Sequence, residues 1–426
     1  MQAFNYTPTD VFWGQLGGCL EALDAGTTMV VDHAHMNYSP QHSKYICLLL
    51  SIQLALQLTK NNPDTAALAA SASSGIRSIF GYSFGSRVQS CVPSLTIDPC
   101  ITPEWAVDQA VHLAETGPFG NGRVQVGLAF DAFFLPKDVI VDLFRRCRRA
   151  GTKLITSHYA RGAVLGQTSV LETLDKYDLL GSDILISHAT GMTDADAERI
   201  IRGGVSLSST PETELQMGLG YPVCFQEDIS EICSLGMDCH SNNGSSVPSQ
   251  MRLALQAERG RQNQALLQQG KAPKHQKTAA QDVFLLGTIG GARAVKMAAD
   301  IGSLEEGKLA DIVIFDGTSP AIVCAADQDP IAAIVFHSSA RDIEMVIVDG
   351  QIRKIKGQSI PVDLDDMSSG ILEETRSRVE WSDVVKELRA SRKRILAQDE
   401  RQGPGAIACA IDEVAAALQV SKESLV

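Results

Sequence analysis

The sequence predicts an α/β fold built on a parallel (β/α)8 barrel of the TIM type. Short apolar strands alternate with helical stretches, which is typical of a parallel sheet. The stretch Thr27–Asp32 (TTMVVD) is β-branched and continuous, as a strand buried on both faces should be. A length of 426 residues accommodates a barrel of about 250 residues together with an appendage. Seven strands precede residue 240, one fewer than a closed barrel has: Thr27–Asp32, Ile76–Phe84, Val124–Phe130, Lys153–His158, Asp183–His188, Val205–Ser209 and Cys233–Asp238.

The segments between these strands carry helix signals. Pro136–Ala150 begins with proline, has apolar residues at helical spacing and ends in a basic turn before Gly151, which is the expected asymmetry of a helix. Thr193–Arg202 opens with acidic residues, which favour a helix N-terminus. After residue 240 we expect long helices at Val247–Gly270 and Asp282–Ala299, strands at Ile312–Phe315 and Met345–Val348, and a charged helix at Glu373–Gln398.

Composition excludes several classes of partner. The net charge is −13, so neither nucleic acid nor an anionic membrane surface is expected to bind. The ten cysteines form no C-x-x-C pair, which predicts free thiols in a reducing, cytoplasmic compartment. The N-terminus lacks the features of a signal peptide, and the apolar run Tyr45–Leu58 is shorter than the roughly 20 residues needed to span a bilayer.

Ligand-type side chains stand where three predicted strands end. His158 and His188 close two strands, and Asp238 closes the last one before residue 240. The carboxyl ends of barrel strands open into one mouth, where active sites are built. Two imidazoles and a carboxylate suit a first-row divalent metal, above all zinc. Such a metal lowers the pKa of its bound water towards 7.

Longer motifs resemble one enzyme family. Ser234–Asp238 (SLGMD), Thr288–Ala294 (TIGGARA) and Ile301–Asp311 (IGSLEEGKLAD) resemble the signatures of the ATZ/TRZ branch of the amidohydrolase superfamily, the metallo-dependent hydrolases. Phe4–Asp32 resembles the stretch that enters the second barrel strand of that family. The resemblance implies residues 1–300 as the barrel, with an unusual insertion near 44–63, then a partial β-sandwich at 301–360. A C-terminal helical extension at 361–426 completes the predicted division.

The resemblance also implies roles for single residues. His158 matches the metal ligand of the fifth family strand, and Asp238 matches the aspartate that binds or flanks the metal and takes a proton from the attacking water. His188 matches the histidine that polarises the substrate or orients the water. Glu214 stands where the family has a neutral amide, and it is expected to contact substrate.

Three features depart from the family pattern. The family's first strand carries an H-x-H pair of metal ligands, and Met1 aligns after that point. His33 and His35 form an H-x-H of their own, but their context is that of the second strand, so we expect substrate contact from them more than metal ligation. Weak metal binding and little activity follow from this expectation. Residues 44–63 and the short N-terminus suggest a gene-model error, with a membrane-surface insertion as the alternative reading of 44–63.

The third departure is Arg161, which replaces the general acid of many heterocycle deaminases and cannot act as one at pH 7. Arg161 therefore argues against assigning the chain as a deaminase of the cytosine, guanine or adenosine type. The sequence therefore predicts a metal-dependent hydrolase of a non-peptide C–N bond in a small molecule, with one divalent ion and Asp238 as proton shuttle. We expect a homo-oligomer. The alternative is a catalytically inactive barrel that serves in binding or oligomerisation.

Overall fold

The structure is a computed structural model that describes residues 5–35, 63–85, 87–90, 96–162, 166–372 and 376–402. The chain divides into two compact units. Unit 1 comprises Met1–Leu20, Met29–Thr156 and Ile360–Val426, and unit 2 comprises Glu21–Thr28 and Ser157–Ser359. Of the insertion expected at 44–63, all but Pro63 lies outside the described residues. The proposed gene-model error there, and the three-domain division, stay predictions.

The elements are numbered here in chain order. The strands are β1 (Met29–Ala34), β2 (Arg77–Phe84), β3 (Arg87–Ser90), β4 (Thr96–Asp98), β5 (Val124–Phe130), β6 (Ile155–Ala160), β7 (Ile184–Thr190), β8 (Ser206–Ser209), β9 (Cys233–Leu235), β10 (Ile312–Phe315), β11 (Ile343–Val348), β12 (Gln351–Ile355), β13 (Gln358–Ser359), β14 (Val362–Asp363) and β15 (Arg378–Val379). The helices are α1 (Pro8–Asp24), α2 (Pro63–Ser74), α3 (Glu104–Thr116), α4 (Lys137–Arg149), α5 (Val170–Lys176), α6 (Asp194–Gly203), α7 (Pro211–Gln216), α8 (Val247–Leu267), α9 (Ala280–Leu285), α10 (Gly291–Ala294), α11 (Val323–Gln328), α12 (Pro330–His337) and α13 (Trp381–Gln402).

Unit 1 contains the parallel strands β1, β2, β5 and the start of β6, neighbours in that order. Every residue of β2 is buried, as in a parallel strand that is covered on both faces. The register places His33 opposite Gly81, and Gly81 opposite Gly127. A Cβ atom on Gly81 would lie 2.9 Å from the carbonyl oxygen of Asp32. Glycine at this position therefore allows the backbone of β2 to lie close to the strand that carries His33.

Unit 2 contains the rest of β6 followed by β7, β8 and β9, again parallel neighbours in chain order. The seven strands expected before residue 240 are thus all present. Their ends differ from the prediction: β6 and β7 continue two residues beyond His158 and His188, whereas β9 stops three residues before Asp238. The two strands are held together past the histidines by Arg161 N, which donates to Thr190 O at 2.8 Å.

The rest of unit 2 forms the expected helices and small sheet. Helix α8 begins at Val247 as predicted, and α9, a π-helical turn and α10 replace the single helix expected to Ala299. The helical segment ends at Ala294 rather than at Ala299. Just beyond its end, Lys296 adopts a left-handed conformation with a φ of 59°. Strands β10 to β13 form an antiparallel sheet. Asp349 and Gly350, with φ of 55° and 73°, join β11 to β12, which is the hairpin that an Asp-Gly pair favours.

The C-terminal part of unit 1 differs from the expected long helix. Strands β14 and β15 pair antiparallel, and α13 begins only at Trp381, eight residues later than expected. Glu380 N donates to the Asp383 carboxylate at 3.0 Å, which satisfies a free amide at the start of the helix. Among the described residues, no helix has both the length and the apolarity needed to cross a bilayer.

Replacing Gly81 with alanine should destabilise the protein by about 1–3 kcal/mol, because the new methyl group meets strand backbone rather than a flexible side chain. Denaturant unfolding measures this change. Gly85→Ala is the matched control, since a Cβ atom there has no neighbour within 4 Å. Equal unfolding midpoints for the two variants would show that β1 and β2 are not in close contact at Gly81.

Candidate active site

The carboxyl ends of β1 and β5 bring three metal-donor side chains of unit 1 together. The ligand atoms of His33, His35 and Asp131 lie within 4.8 Å of one another. His33 Nε2 is 3.2 Å from the Asp131 carboxylate. The rings of His33 and His35 are stacked, with centroids 4.6 Å apart and an angle of 26° between their planes. The i, i+2 spacing explains their shared direction, because alternate residues of a strand project to the same side.

Asp32, the residue before His33, is held by a side chain of α1. Gln15, on α1, donates one hydrogen bond to the Asp32 carboxylate at 2.7 Å and another to Ser71 Oγ at 3.0 Å. Asp32 precedes His33, so their side chains project to opposite sides of β1. Helix α1 thereby fixes the strand on one side while His33 projects from the other.

Asp131 was missed by the sequence analysis. It follows directly on Phe130, the last residue of β5. The signal was present, because an acidic residue immediately after a buried parallel strand lies at the edge where active sites form. His158, His188 and Asp238 each close a predicted strand, whereas Asp131 lies one residue beyond the predicted strand Val124–Phe130.

In unit 2, a buried polar group surrounds His188. His188 Nδ1 lies 2.8 Å from Thr210 Oγ1 and 3.6 Å from Glu214 Oε1. Thr210 N donates to the same Glu214 oxygen at 2.7 Å. His188 and Ala189 have φ of 70° and 55°, a left-handed conformation that residues other than glycine seldom adopt and that concentrates at functional sites. The junction between β8 and α7 therefore fixes the His188 ring through its Nδ1 edge.

Glu214 is fully buried. Burial raises the pKa of its carboxyl group, the nearby His188 ring and the hydrogen bond from Thr210 N lower it, and the charge of Asp238 adds to the rise. From its position in the sequence, Glu214 was expected to contact substrate. The structure shows its carboxylate against His188 and Thr210 instead, so a direct contact with substrate stays a prediction.

Asp238 follows β9 in a loop whose conformation is tightly constrained. Its φ is 60°. Gly236 N donates to Ser209 O at 2.8 Å, and a Cβ atom on Gly236 would lie 2.8 Å from Ser208 Oγ. Asn243 Nδ2 donates to Met237 O at 2.8 Å. These contacts explain the glycine of the SLGMD motif, since a larger residue would displace the loop that presents Asp238.

His158 is placed by a hydrogen-bond network on the other side of β6. The ring of His158 stacks on that of His188, with centroids 5.8 Å apart. The adjacent Tyr159 donates to the Asp196 carboxylate at 2.9 Å, and Ser169 donates to it at 2.6 Å. Burial raises the pKa of Tyr159 to about 12, so its phenol remains a donor. The network ties β6 to α6, whose first turn contains Asp196.

The structure thus brings His158 next to His188 and places the charge of Asp238 near Glu214. The expected metal pair of His158 and Asp238 stays a prediction. The only group of three or more metal-donor side chains found in the described part of the chain contains His33, His35 and Asp131 and does not contain Asp238.

Comparison with known proteins decides the family. The model of the Amidohydrolase family matches residues 1–353. The chain belongs to the Amidohydrolase family. The resemblance drawn from the SLGMD and TIGGARA motifs is therefore confirmed.

Curated relatives of the chain are deaminases. It is 26% identical over 230 residues to the 5-methylthioadenosine/S-adenosylhomocysteine deaminase of Pyrococcus horikoshii, covering 53% of this chain and 49% of the relative. It is 28% identical over 195 residues to the 5'-deoxyadenosine deaminase of Methanopyrus kandleri, covering 45% of this chain and 42% of that one. The chain spans about half the length of these curated relatives.

Solved structures with the same fold contain zinc. An adenosine deaminase from Xanthomonas campestris with bound zinc superposes with a TM-score of 0.65 at 19% identity, covering 92% of this chain and 76% of that one. Atrazine chlorohydrolase from Arthrobacter aurescens, complexed with zinc, superposes with a TM-score of 0.67 at 17% identity, covering 91% and 78%. The expected fold class, an α/β barrel of the metallo-dependent hydrolase type, is confirmed.

The Asp196 network makes a prediction for stability against pH. Burial opposes ionisation of Asp196, but hydrogen bonds from Ser169, Thr193 and Tyr159 outweigh it and lower its pKa. A lowered pKa contributes stability above the unfolded value of about 3.9 and loses it as pH falls through the folded pKa. Asp196→Asn should therefore destabilise the protein by about 1–3 kcal/mol at neutral pH, and the difference from the native chain should shrink below about pH 4.

Thermal or denaturant unfolding across this pH range measures the effect. Asp194→Asn serves as the control, because Asp194 is an exposed residue of the same first helical turn. Its unfolding should stay within about 0.5 kcal/mol of the native chain at every pH. A pH-independent loss in the Asp196 variant would mean that the ionised carboxylate contributes no stability.

Proposed function

We propose that the chain is a metal-dependent hydrolase of a non-peptide C–N bond in a small molecule. One observation carries the proposal: His33, His35 and Asp131 converge at the carboxyl ends of parallel strands in a member of the Amidohydrolase family. Convergent donors at this edge of a sheet are the usual origin of a catalytic centre. The same observation favours an enzyme over an inactive binding barrel.

The donor set fits one divalent ion, and zinc best. Two imidazoles and one carboxylate match the three protein ligands of catalytic zinc sites, which keep a further position open. His158, which the resemblance implies as a metal ligand, belongs to unit 2 and stays a prediction. This proposal replaces our expectation of weak metal binding, which rested on the sequence context of His33 and His35.

The proposed reaction uses an activated water. His33, His35 and Asp131 would hold the divalent ion, which would lower the pKa of a bound water towards 7 and so make hydroxide available at neutral pH. Asp238 takes the proton of the attacking water and delivers it to the leaving nitrogen. His188, fixed through Nδ1, orients the water or polarises the carbon under attack through Nε2. The charge that Asp238 exerts on Glu214 supports its placement in the same polar region as His188.

The substrate class is proposed from the relatives. The matched curated proteins deaminate adenosine derivatives by name, and one structural neighbour is named for the dechlorination of atrazine. Both kinds of substrate are nitrogen heterocycles, so we propose a substituent on such a ring as the group removed. Arg161, whose Nε donates to Gln167 Oε1 at 3.3 Å, offers no general acid and leaves the proton transfer to Asp238.

We also propose a cytoplasmic location and a homo-oligomeric assembly. The seven cysteines in the described ranges are all free, which supports a reducing compartment such as the cytoplasm. A homo-oligomer remains our expectation from the sequence, and size-exclusion chromatography with light scattering measures it directly.

Removing one donor should remove the metal. We expect about one zinc ion per chain in the native protein, and a loss of affinity of at least about 100-fold in His33→Asn, His35→Asn and Asp131→Asn. Loss of a direct ligand should lower the metal affinity more than the roughly 10–100-fold that follows from mutating a residue that only hydrogen-bonds a ligand. Elemental analysis gives the stoichiometry, and competition with a coloured chelator gives the affinity.

His112→Asn is the control for these variants, because His112 is an exposed histidine of α3 in the same unit. It should bind zinc as the native protein does. Native affinity in the His33 variant combined with a loss in a His158 variant would overturn the proposed ligand set and restore the one expected from the sequence.

Activity should depend on the metal and on Asp238. Incubation with a chelator should abolish hydrolysis, zinc should restore it, and Asp238→Asn should lower kcat by about 100- to 10,000-fold, which is the range of a general acid–base group. Release of ammonia or chloride from a panel of adenosine derivatives and substituted triazines is the assay. A loaded native protein that hydrolyses no member of either class would contradict the proposed substrate, and equal rates with and without metal would contradict the proposed chemistry.

A further inference from the structure

The carboxylate of Glu214 is completely enclosed and has few partners. Its Oε1 accepts a hydrogen bond from Thr210 N at 2.7 Å and lies 3.6 Å from His188 Nδ1. Its Oε2 is buried and has no hydrogen-bond partner among the described residues. A buried carboxylate is strongly destabilising unless donors or positive charge compensate it. His188 is the titratable side chain in direct contact with it.

The contact between His188 and Thr210 is compatible with two arrangements of hydrogens. Nδ1 carries the proton and donates to Thr210 Oγ1 at 2.8 Å, or the threonine hydroxyl donates to an unprotonated Nδ1. A hydroxyl group donates or accepts equally well, so Thr210 does not select between them. Glu214 does select, because its oxygen stabilises a proton on Nδ1 and repels a nitrogen lone pair there.

We propose that Glu214 is a positioning residue that holds His188 in the tautomer with its proton on Nδ1. Nε2 then carries no proton and remains an acceptor. The carboxylate that fixes a histidine from its far side sets both the tautomer and the basicity of the other nitrogen. The structural part of this proposal stands alone, and its catalytic consequence rests on the proposed function.

Glu212 provides an internal comparison. It lies two residues earlier on the same short helix, and its carboxylate accepts from Gln250 Nε2 at 2.8 Å. Gln250 is itself buried and accepts in return from Glu212 N at 3.1 Å. Glu212 thus anchors α7 to α8, whereas Glu214 is the carboxylate that contacts His188. Substituting Glu212 and Glu214 in turn therefore distinguishes a loss of helix anchoring from a loss of the carboxylate beside His188.

Nitrogen NMR of the metal-free protein tests the tautomer directly. Histidine-selective ¹⁵N labelling, recorded well above the ordinary imidazole pKa of about 6.5, distinguishes a protonated from an unprotonated ring nitrogen. The signals of His188 are those that disappear in His188→Gln. We expect a protonated Nδ1 and a bare Nε2 in the native protein, and a shift of at least half of the population to the other tautomer in Glu214→Gln.

Glu212→Gln should leave the His188 signals unchanged. A native His188 protonated on Nε2 overturns the proposal whatever the variants do, including a Glu214→Gln protein that fails to fold. An unchanged tautomer in a folded Glu214→Gln protein overturns it as well. Neither result depends on metal or on turnover, so a failure of the proposed hydrolase function is distinguishable from a failure of this proposal.

Kinetics then tests the consequence. Glu214→Gln should lower kcat by about 10- to 100-fold, as the loss of an outer partner of an active-site histidine does, with KM little changed because the carboxylate is buried away from solvent. Glu212→Gln should retain native kcat. An equal loss of kcat in both variants would indicate that the anchoring of α7, and not the charge on His188, controls the rate.

Discussion

The parallel register of β1, β2 and β5 is the constraint on which the rest of unit 1 depends. It sets His33 opposite Gly81, and Gly81 opposite Gly127, where side chains larger than hydrogen would collide with backbone. A slip of one residue would reverse the side of the strand on which each side chain lies. The two imidazoles would then point towards Gln15 and α1, and Asp32 would take their place beside Asp131.

In unit 2 the corresponding constraint is electrostatic. Enclosing the Glu214 carboxylate requires compensation of its charge, and the structure supplies a hydrogen bond from Thr210 N to Oε1 and the His188 ring, whose Nδ1 lies 3.6 Å from the same oxygen. The strained conformation of His188, with a φ of 70°, persists because this contact and the bonds between β6 and β7 determine the backbone around it. Such strain is energetically unfavourable and is typical of residues whose side chains must be held in one direction.

Much of the fold was predictable, because its signals are local. The seven predicted strands are all present. Thr193 caps the helix that the acidic residues after it predicted, and Asp349 with Gly350 forms the predicted turn. The ends of β6, β7 and β9 were not predictable to the residue, since pairing with neighbouring strands decides where a strand stops. His158, His188 and Asp238 were recognised because each closes a predicted strand, and the family motifs then implied their roles. Asp131 was missed, because only the distance from His33 distinguishes it from any other acid after a strand.

The histidine pair shows the limit of an argument from motif context. His33 and His35 follow a stretch that resembles a second strand, which favoured substrate contact over metal ligation. Whether a side chain can bind a metal ion, however, depends on which other ligand atoms lie close to it. It does not depend on which strand of the family pattern carries that side chain. With the Asp131 carboxylate 3.2 Å from His33 Nε2, two imidazoles and an anion share one small region. The proposed metal site rests on that arrangement, because two imidazoles and a carboxylate are the donor set of a catalytic zinc ion.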